Sequence, residues 1–327
     1  IAAVYAPDAS RAEQFTARYG GTPYDSLEQM LAQRPLDMVV IGTPSGLHAD
    51  HGTAAAVRGL HVLVEKPIDV TTARTDALIR AAADAGVTLG VIFQDRLKPD
   101  VQRMKALIDR GRLGTPILAN ARVKWYRPSS YYRDSRWRGT HSLDGGGALM
   151  NQGVHTVDLL VATMGRPVEV FAYTGTLAHE RIETEDAAVG VVRFESGALG
   201  VLHATTAAYP GLSARLQVHG DRGSAVIDND RLVYFHHTPA GQSPEEKKMG
   251  KPGSQNQAAE FADGPAGPAA GSNPGQLSEA HRYQYDNFLA ALAGTEELRV
   301  DLATNRQAIS IITGVYESAR TGKPVAL

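Results

Sequence analysis

The chain has 327 residues, 43% of them hydrophobic and 21% charged, with a formal net charge of −2, a profile that fits one large or two ordinary globular domains. That charge leaves no basic field for gripping nucleic acid or anionic lipid, and no run approaches the roughly 20 apolar residues that span a bilayer. With no cysteine, disulfides, thiolate nucleophiles and cysteine-bound zinc are excluded together, and the composition suits a reducing cytoplasm.

The opening residues 1–5, Ile-Ala-Ala-Val-Tyr, read as a strand and not as a signal peptide. A first residue already inside a strand suggests that an earlier strand and turn are missing. Further strands are predicted at 38–42, 62–65 and 88–92. Helices are predicted between them at 10–19, 48–58 and 73–85, each with helix-like spacing and good helix formers. Continuous apolar strands separated by helices imply a parallel sheet covered on both faces. Residues 1–94 therefore read as a doubly wound α/β domain.

The pattern changes after Gln94. Residues 98–109 predict a helix, 115–126 a long strand, and 145–164 a helix entered through three glycines. Runs rich in Val, Ala, Thr and Tyr follow at 168–176, 187–194, 198–206, 214–219 and 224–227, separated by turn signals such as Glu195-Ser196-Gly197. Strands in succession with no helix between them indicate a mostly antiparallel sheet, so 95–327 read as an α+β domain. From 238 to 277 Gly, Pro, Ala, Ser and Gln dominate, the composition of a long, mobile loop. Amphipathic helices at 278–293 and 302–318 close the chain.

The stretch Val62-Leu63-Val64-Glu65-Lys66-Pro67 puts two charges at the end of a buried strand, the carboxyl edge where open α/β sheets bind ligands. A partly desolvated lysine there has a lowered pKa and moves protons near neutrality; a surface Glu–Lys pair before a turn is the plainer alternative. Upstream, Gly42-Thr43-Pro44-Ser45-Gly46-Leu47-His48 ends a strand in small residues ahead of a helix, which lets a nucleotide approach the backbone. His48 and His51 lie one turn apart, but with no HExxH frame they do not read as a metal site.

The run Asp144-Gly145-Gly146-Gly147 leads into Asn151, Gly153, His155 and Asp158. On a helix Asn151, His155 and Asp158 fall at i, i+4 and i+7 and share one face. That face carries an amide, an imidazole and a carboxylate in a segment otherwise apolar enough to be buried; a core histidine satisfied by Asp158 is the alternative. Between Lys124 and Thr140, Tyr126, Tyr131, Tyr132 and Trp137 alternate with Arg127, Arg133, Arg136 and Arg138. Such a mixture suits a hydroxylated ring. It also binds single-stranded nucleic acid, against which the overall charge argues.

In this order the motifs resemble the glucose–fructose oxidoreductase/inositol dehydrogenase (Gfo/Idh/MocA) family over nearly the whole chain. Glu65-Lys66-Pro67 alone is a weak sign; followed at this distance by the glycine–histidine–aspartate helix it is highly specific. The resemblance implies a Rossmann domain holding NAD or NADP, then an open sheet whose outer face builds homodimers or homotetramers. It also implies hydride transfer between the cofactor and a secondary alcohol of a sugar, sugar derivative or cyclitol. It assigns catalysis to Lys66 and His155. On the same grounds Thr43, Pro44, Ser45, His48, Glu65, Lys66, Pro67 and Gln94 line the cofactor. Trp137 and Arg138 close over nicotinamide and substrate, and Asn151, Tyr126, Arg127 and Asp158 contact the substrate. Metal, nucleic acid and membrane have no part in it.

Two features depart from the family pattern. Many members place an aspartate four residues before the histidine, where this chain has Asn151. An amide orients a hydroxyl but cannot accept its proton, which shifts proton transfer toward His155 and Lys66. The first strand and the Gly-rich phosphate loop of the family have no counterpart in the sequence, so the chain as written is expected to bind dinucleotide poorly. Ala6 stands where NAD-preferring members hold the ribose hydroxyls with an acid, and no adjacent arginine welcomes a 2′-phosphate, leaving NAD and NADP level. Two readings compete: a non-catalytic relative that binds nucleotide or sugar, and an NAD-dependent glycoside hydrolase of the same family.

Overall fold

The computed structural model describes residues 1–238, 255–261 and 274–327, with side chains in the last segment from Glu279 onward. Its first layer consists of two parallel sheets. β1 (Ala3–Tyr5) pairs with β2 (Thr22–Tyr24), while β3 (Met38–Ile41), β4 (His61–Val64) and β5 (Leu89–Val91) pair in that order. Helices α1 (Ala9–Tyr19), α2 (Leu27–Ala32), α3 (His48–Ala56) and α4 (Thr72–Asp84) connect the strands. Asp8, Ser26 and Thr71 start three of them, each side chain accepting a backbone N–H of the first turn that has no helical partner. β4 is the middle strand, and its Val62, Leu63 and Val64 are fully buried, as a strand covered on both faces requires.

After α5 (Pro99–Asp109), β6 (Pro116–Lys124) and α6 (Ser129–Arg133), α7 (Val154–Met164) leads into the strands of the second layer. These are β7 (Pro167–Gly175), β8 (Ala187–Phe194), β9 (Leu199–Thr205), β10 (Ala214–Gly220), β11 (Gly223–Asp228) and β12 (Arg231–His237). α8 (Pro274–Leu292), α9 (Leu302–Thr321) and β13 (Val325–Ala326) end the chain. The sheet order is β12-β11-β10-β6-β9-β8-β7-β13, with only β6 and β9 parallel. Along β8, Ala188, Val192 and Phe194 are buried beneath the helices while Val189 and Val191 face outward, about half exposed, the period-two signature of a sheet covered on one side. α8 and α9 reach back to the first layer. Phe288 packs on Leu63 and Ile92, Gln284 donates to the Val91 carbonyl, and Arg306 grips Asp76 at 2.8 and 3.0 Å. The architecture is a Rossmann-like parallel layer followed by a mostly antiparallel open sheet.

The sequence predicts no strand at β2, β12 or β13. β2 is three residues long with Pro23 in the middle, a residue that cannot donate to a ladder. The helix expected over 145–164 is in fact two pieces, a π-helical turn Ala148–Gly153 and then α7. Most of the loop expected at 238–277 lies outside the described residues. Within that span Ala258–Phe261 form a 3-10 turn, and α8 begins at Pro274.

Candidate active site

Ile41, Val64 and Val91 are register partners across β3, β4 and β5. The chain leaves all three strands on one edge, where Thr43, Lys66 and Phe93 each stand two residues beyond that row. Burial drives the Lys66 ammonium below its ordinary pKa, opposed by the nearby carboxylates of Glu65, Asp144 and Asp95. Its Nζ donates to the Asn151 carbonyl at 2.8 Å. Burial would raise Glu65, but the His281 ring 3.5 Å away and Lys66 outweigh it and hold that carboxyl below its usual range.

The opposite wall is set by the triple glycine. A Cβ on Gly146 would stand 2.0 Å from the Tyr316 hydroxyl, and one on Gly147 would stand 1.8 Å from the Glu185 carbonyl oxygen. No other residue fits. Glu185 accepts the Gly147 and Leu149 N–H groups at 2.8 Å each, anchoring the π-helical turn that carries Asn151. Asn151 Nδ2 donates to Asp144 at 2.5 Å, while its Oδ1 accepts from Gln152 at 2.7 Å. Gln152 Oε1 in turn accepts from Arg127 at 2.7 Å. Tyr131 is flanked by two guanidinium groups, Arg138 at 4.3 Å and Arg127 at 5.5 Å from its ring centroid.

His155 does not pair with Asp158. Its Nδ1 lies 4.0 Å from Asp95, its ring stands edge-on to Phe93 at 5.5 Å, and burial drives its pKa down to about 4. It is therefore neutral at physiological pH and free to accept a proton. Asp158 is taken instead by Arg96, which donates to both its oxygens at 2.6 Å. With 1% exposure this carboxylate is a strut, and its expected substrate contact is corrected. The His155–Asp158 pair fails because Arg96 reaches Asp158 from another element, while Asn151 sits in a π turn before α7.

Two further expectations are corrected. His48 is 1% exposed, with Nδ1 2.7 Å from the Pro67 carbonyl and Nε2 2.9 Å from the Thr43 carbonyl. It ties two cleft loops together and leaves no ring nitrogen for a cofactor. Tyr126 is itself 38% exposed and stacks edge-on with the exposed Tyr209 at 5.2 Å, so its ring is engaged at the surface. Ser45 is buried in the turn beside Gly46, whose N–H donates to the Leu143 carbonyl. Pro44 and Pro67 hold the exits of β3 and β4, and the Lys66–Pro67 peptide is cis. Asp95 and Asp144 are missing from the sequence prediction. Asp95 was findable, lying just past β5 on the ligand edge; Asp144 reads as a turn residue before glycine, with no local sign that it ends up 1% exposed.

Among the described residues, Thr43 Oγ1, Gln94 Oε1, Arg127 Nε, Arg138 Nε and His155 Nδ1 are buried without a hydrogen-bond partner. Each such atom costs about 1–3 kcal/mol; Arg127 and His155 act electrostatically on Lys66, and Thr43 and Gln94 follow strand ends on the same edge, an arrangement that suits a ligand there. Residues 1–93 match the model of an oxidoreductase family with an NAD-binding Rossmann fold, and residues 101–226 match the GFO/IDH/MocA C-terminal domain. The WlbA dehydrogenase of Bordetella pertussis, solved with NADH and UDP-GlcNAcA, superposes with a TM-score of 0.86 at 31% identity, covering 100% of this chain and 90% of that one.

The chain belongs to the GFO/IDH/MocA oxidoreductase family.

D-xylose 1-dehydrogenase (NADP(+)) 2 of Haloferax volcanii is 28% identical over 100% of this chain and 91% of its own length. The uncharacterized oxidoreductase YrbE of Bacillus subtilis (strain 168) is 30% identical over 62% of this chain, which spans 58% of YrbE. The family's cofactor, NAD or NADP, fits the residues present. Thr43 and Gln94 offer unpartnered polar atoms on the strand edge beside Glu65 and Lys66, and a Cβ on Gly42 would meet open space. No helix among the described residues is long and apolar enough to cross a membrane, and none of those residues form a cluster able to hold a metal ion.

Proposed function

We propose that this family member is an NAD(P)-dependent dehydrogenase acting on a secondary alcohol of a sugar, sugar derivative or cyclitol. The observation that carries it is the desolvated Lys66 at the carboxyl edge of the parallel strands, with the carboxylates of Glu65, Asp144 and Asp95 acting on it. Residues 1–94 would hold the dinucleotide, with Thr43, Glu65, Lys66 and Gln94 at its nicotinamide end, and 95–327 would hold the substrate. When bound, the nicotinamide takes or gives the hydride. Lys66 Nζ takes the hydroxyl proton, which its lowered pKa permits, and neutral His155 hydrogen-bonds the same oxygen. Asn151, Trp137 and Arg138 orient the ring.

Arg127 and Arg138 refine the substrate class. Both Nε atoms are buried and lack a hydrogen-bond partner. Arg127, whose charge opposes that of Lys66, and Arg138, which faces the buried Asp144, together favour a sugar carrying an anionic group, as the UDP-GlcNAcA of WlbA does. Arg138→Met is expected to raise KM for an acidic sugar nucleotide by about tenfold or more, and to leave KM for a neutral analogue nearly unchanged. Equal changes for both would sink the anionic reading.

The outer sheet face, with Tyr173, Val189, Val191 and Leu199 between 52% and 68% exposed, supports self-association into dimers or tetramers. The reading as a whole is tested by fluorescence titration of the protein with NADH and NADPH. Binding identifies the preferred dinucleotide for a sugar screen. Binding of neither would overturn the dehydrogenase reading and move the non-catalytic reading ahead.

A further inference from the structure

Asp144 is assigned no part in the reaction above, yet it is the carboxylate closest to where this chain departs from its family. It is 1% exposed, accepting the Gly139 N–H at 2.8 Å and the Asn151 Nδ2–H at 2.5 Å. An ionised carboxylate only accepts, so it fixes which end of the Asn151 amide faces it. The Asn151 oxygen is thereby turned to Gln152, whose own oxygen meets Arg127. The backbone carbonyl of the same Asn151 accepts a hydrogen bond from Lys66 Nζ. Through Gly139, Asp144 also anchors the segment bearing Trp137 and Arg138. One buried charge therefore orients a chain of hydrogen bonds through Asn151 and Gln152 to Arg127, while the backbone of the same Asn151 holds Lys66.

We propose that Asp144 is a positioning residue that supplies, seven residues earlier, the negative charge that Asn151 lacks, orienting Asn151 and setting a fixed carboxylate next to the residue that holds Lys66. The proposal rests on the dehydrogenase reading for its meaning in turnover. Burial raises the Asp144 carboxyl to about 6, against the pull of Gly139, Asn151, Lys66 and Arg138. The groups facing it are Lys66 at the exit of β4, Arg138 in the 135–140 loop, Tyr131 and Tyr132 on α6, and Tyr316 on α9. Once protonated it loses its charge and gains an O–H, which weakens its hold on the Gly139 and Asn151 N–H groups.

The test is a pH titration of the Lys66 ε-carbon by NMR, in protein labelled with 13C-lysine and assigned with Lys66→Met. Loss of a nearby negative charge lowers a lysine pKa, so Asp144→Asn is expected to move the Lys66 titration down by about one pH unit. An unmoved titration overturns the proposal. This readout needs no turnover, so an enzyme that oxidises no sugar would defeat the dehydrogenase reading without altering the expected titration shift. In an active enzyme, Asp144→Asn should lower kcat about tenfold or more and shift the alkaline rise of oxidation toward lower pH. The double variant Asp144→Asn with Asn151→Asp keeps one carboxylate and one amide in the same pair. It should recover most of that loss; activity no better than Asp144→Asn alone would also overturn the proposal.

Discussion

Lys66→Met is expected to lower kcat by about 10²–10⁴-fold, the range that a positioned proton-transfer group contributes, with NADH affinity nearly unchanged. Methionine keeps the buried stem and its packing but removes Nζ. The substrate hydroxyl then has no group to take its proton as the hydride leaves, and the Asn151 carbonyl loses its donor. Oxidation by the unaltered enzyme should rise with pH as Lys66 passes through its lowered pKa, because only the neutral amine accepts. That rise should vanish in the methionine variant. The neutral imidazole of His155, with its pKa near 4, should leave no feature above about pH 5. Steady-state kinetics across pH, beside an NADH fluorescence titration, decide the matter. Turnover like that of the unaltered enzyme would remove Lys66 from the chemistry.

Much of this site was legible in the sequence, for identifiable reasons. Val62-Leu63-Val64 is a continuous apolar run, and such runs become middle strands whose carboxyl ends present whatever follows, here Glu65 and Lys66. The three glycines read in the sequence only as the entry to a helix; Tyr316 and Glu185 are what packs against Gly146 and Gly147. What the sequence hid was pairing. The spacing of His155 and Asp158 suggests a couple, but helical spacing says only which residues share a face, not which charges from other elements reach it. Arg96 and Asp95, adjacent in one turn, divide Asp158 and His155 between them. The π turn was equally invisible, since no local composition distinguishes Ala148–Gly153 from an α-helical turn. Asp144 shows the same limit: a residue before glycines reads as a turn until tertiary packing covers it.

Asp158→Ala is expected to destabilise the fold by about 3–5 kcal/mol, the cost of leaving a buried charge without its partner. The Asp158 side chain is 1% exposed and that of Arg96 10%, joined by two 2.6 Å bonds. Removing the carboxylate leaves Arg96 with Asp301 alone, whose side chain is 54% exposed and 3.1 Å away. Water screens that remaining pair, so it replaces little of the lost interaction. The expected signature is a melting temperature lower by on the order of 5–10 °C. The Gln94–Leu97 turn that holds Arg96 also holds Asp95 beneath His155, so activity should fall as the turn loosens. This outcome separates a strut from a substrate contact. A contact would raise KM and leave the melting temperature alone, whereas a strut lowers the melting temperature with every substrate and with none. Replacing both partners, Arg96→Met with Asp158→Leu, should recover much of the stability, since well-packed apolar pairs match buried ion pairs. If the single variant melts like the unaltered protein, the clamp is not what holds α7 against that turn, and Asp158 returns as a candidate for the substrate.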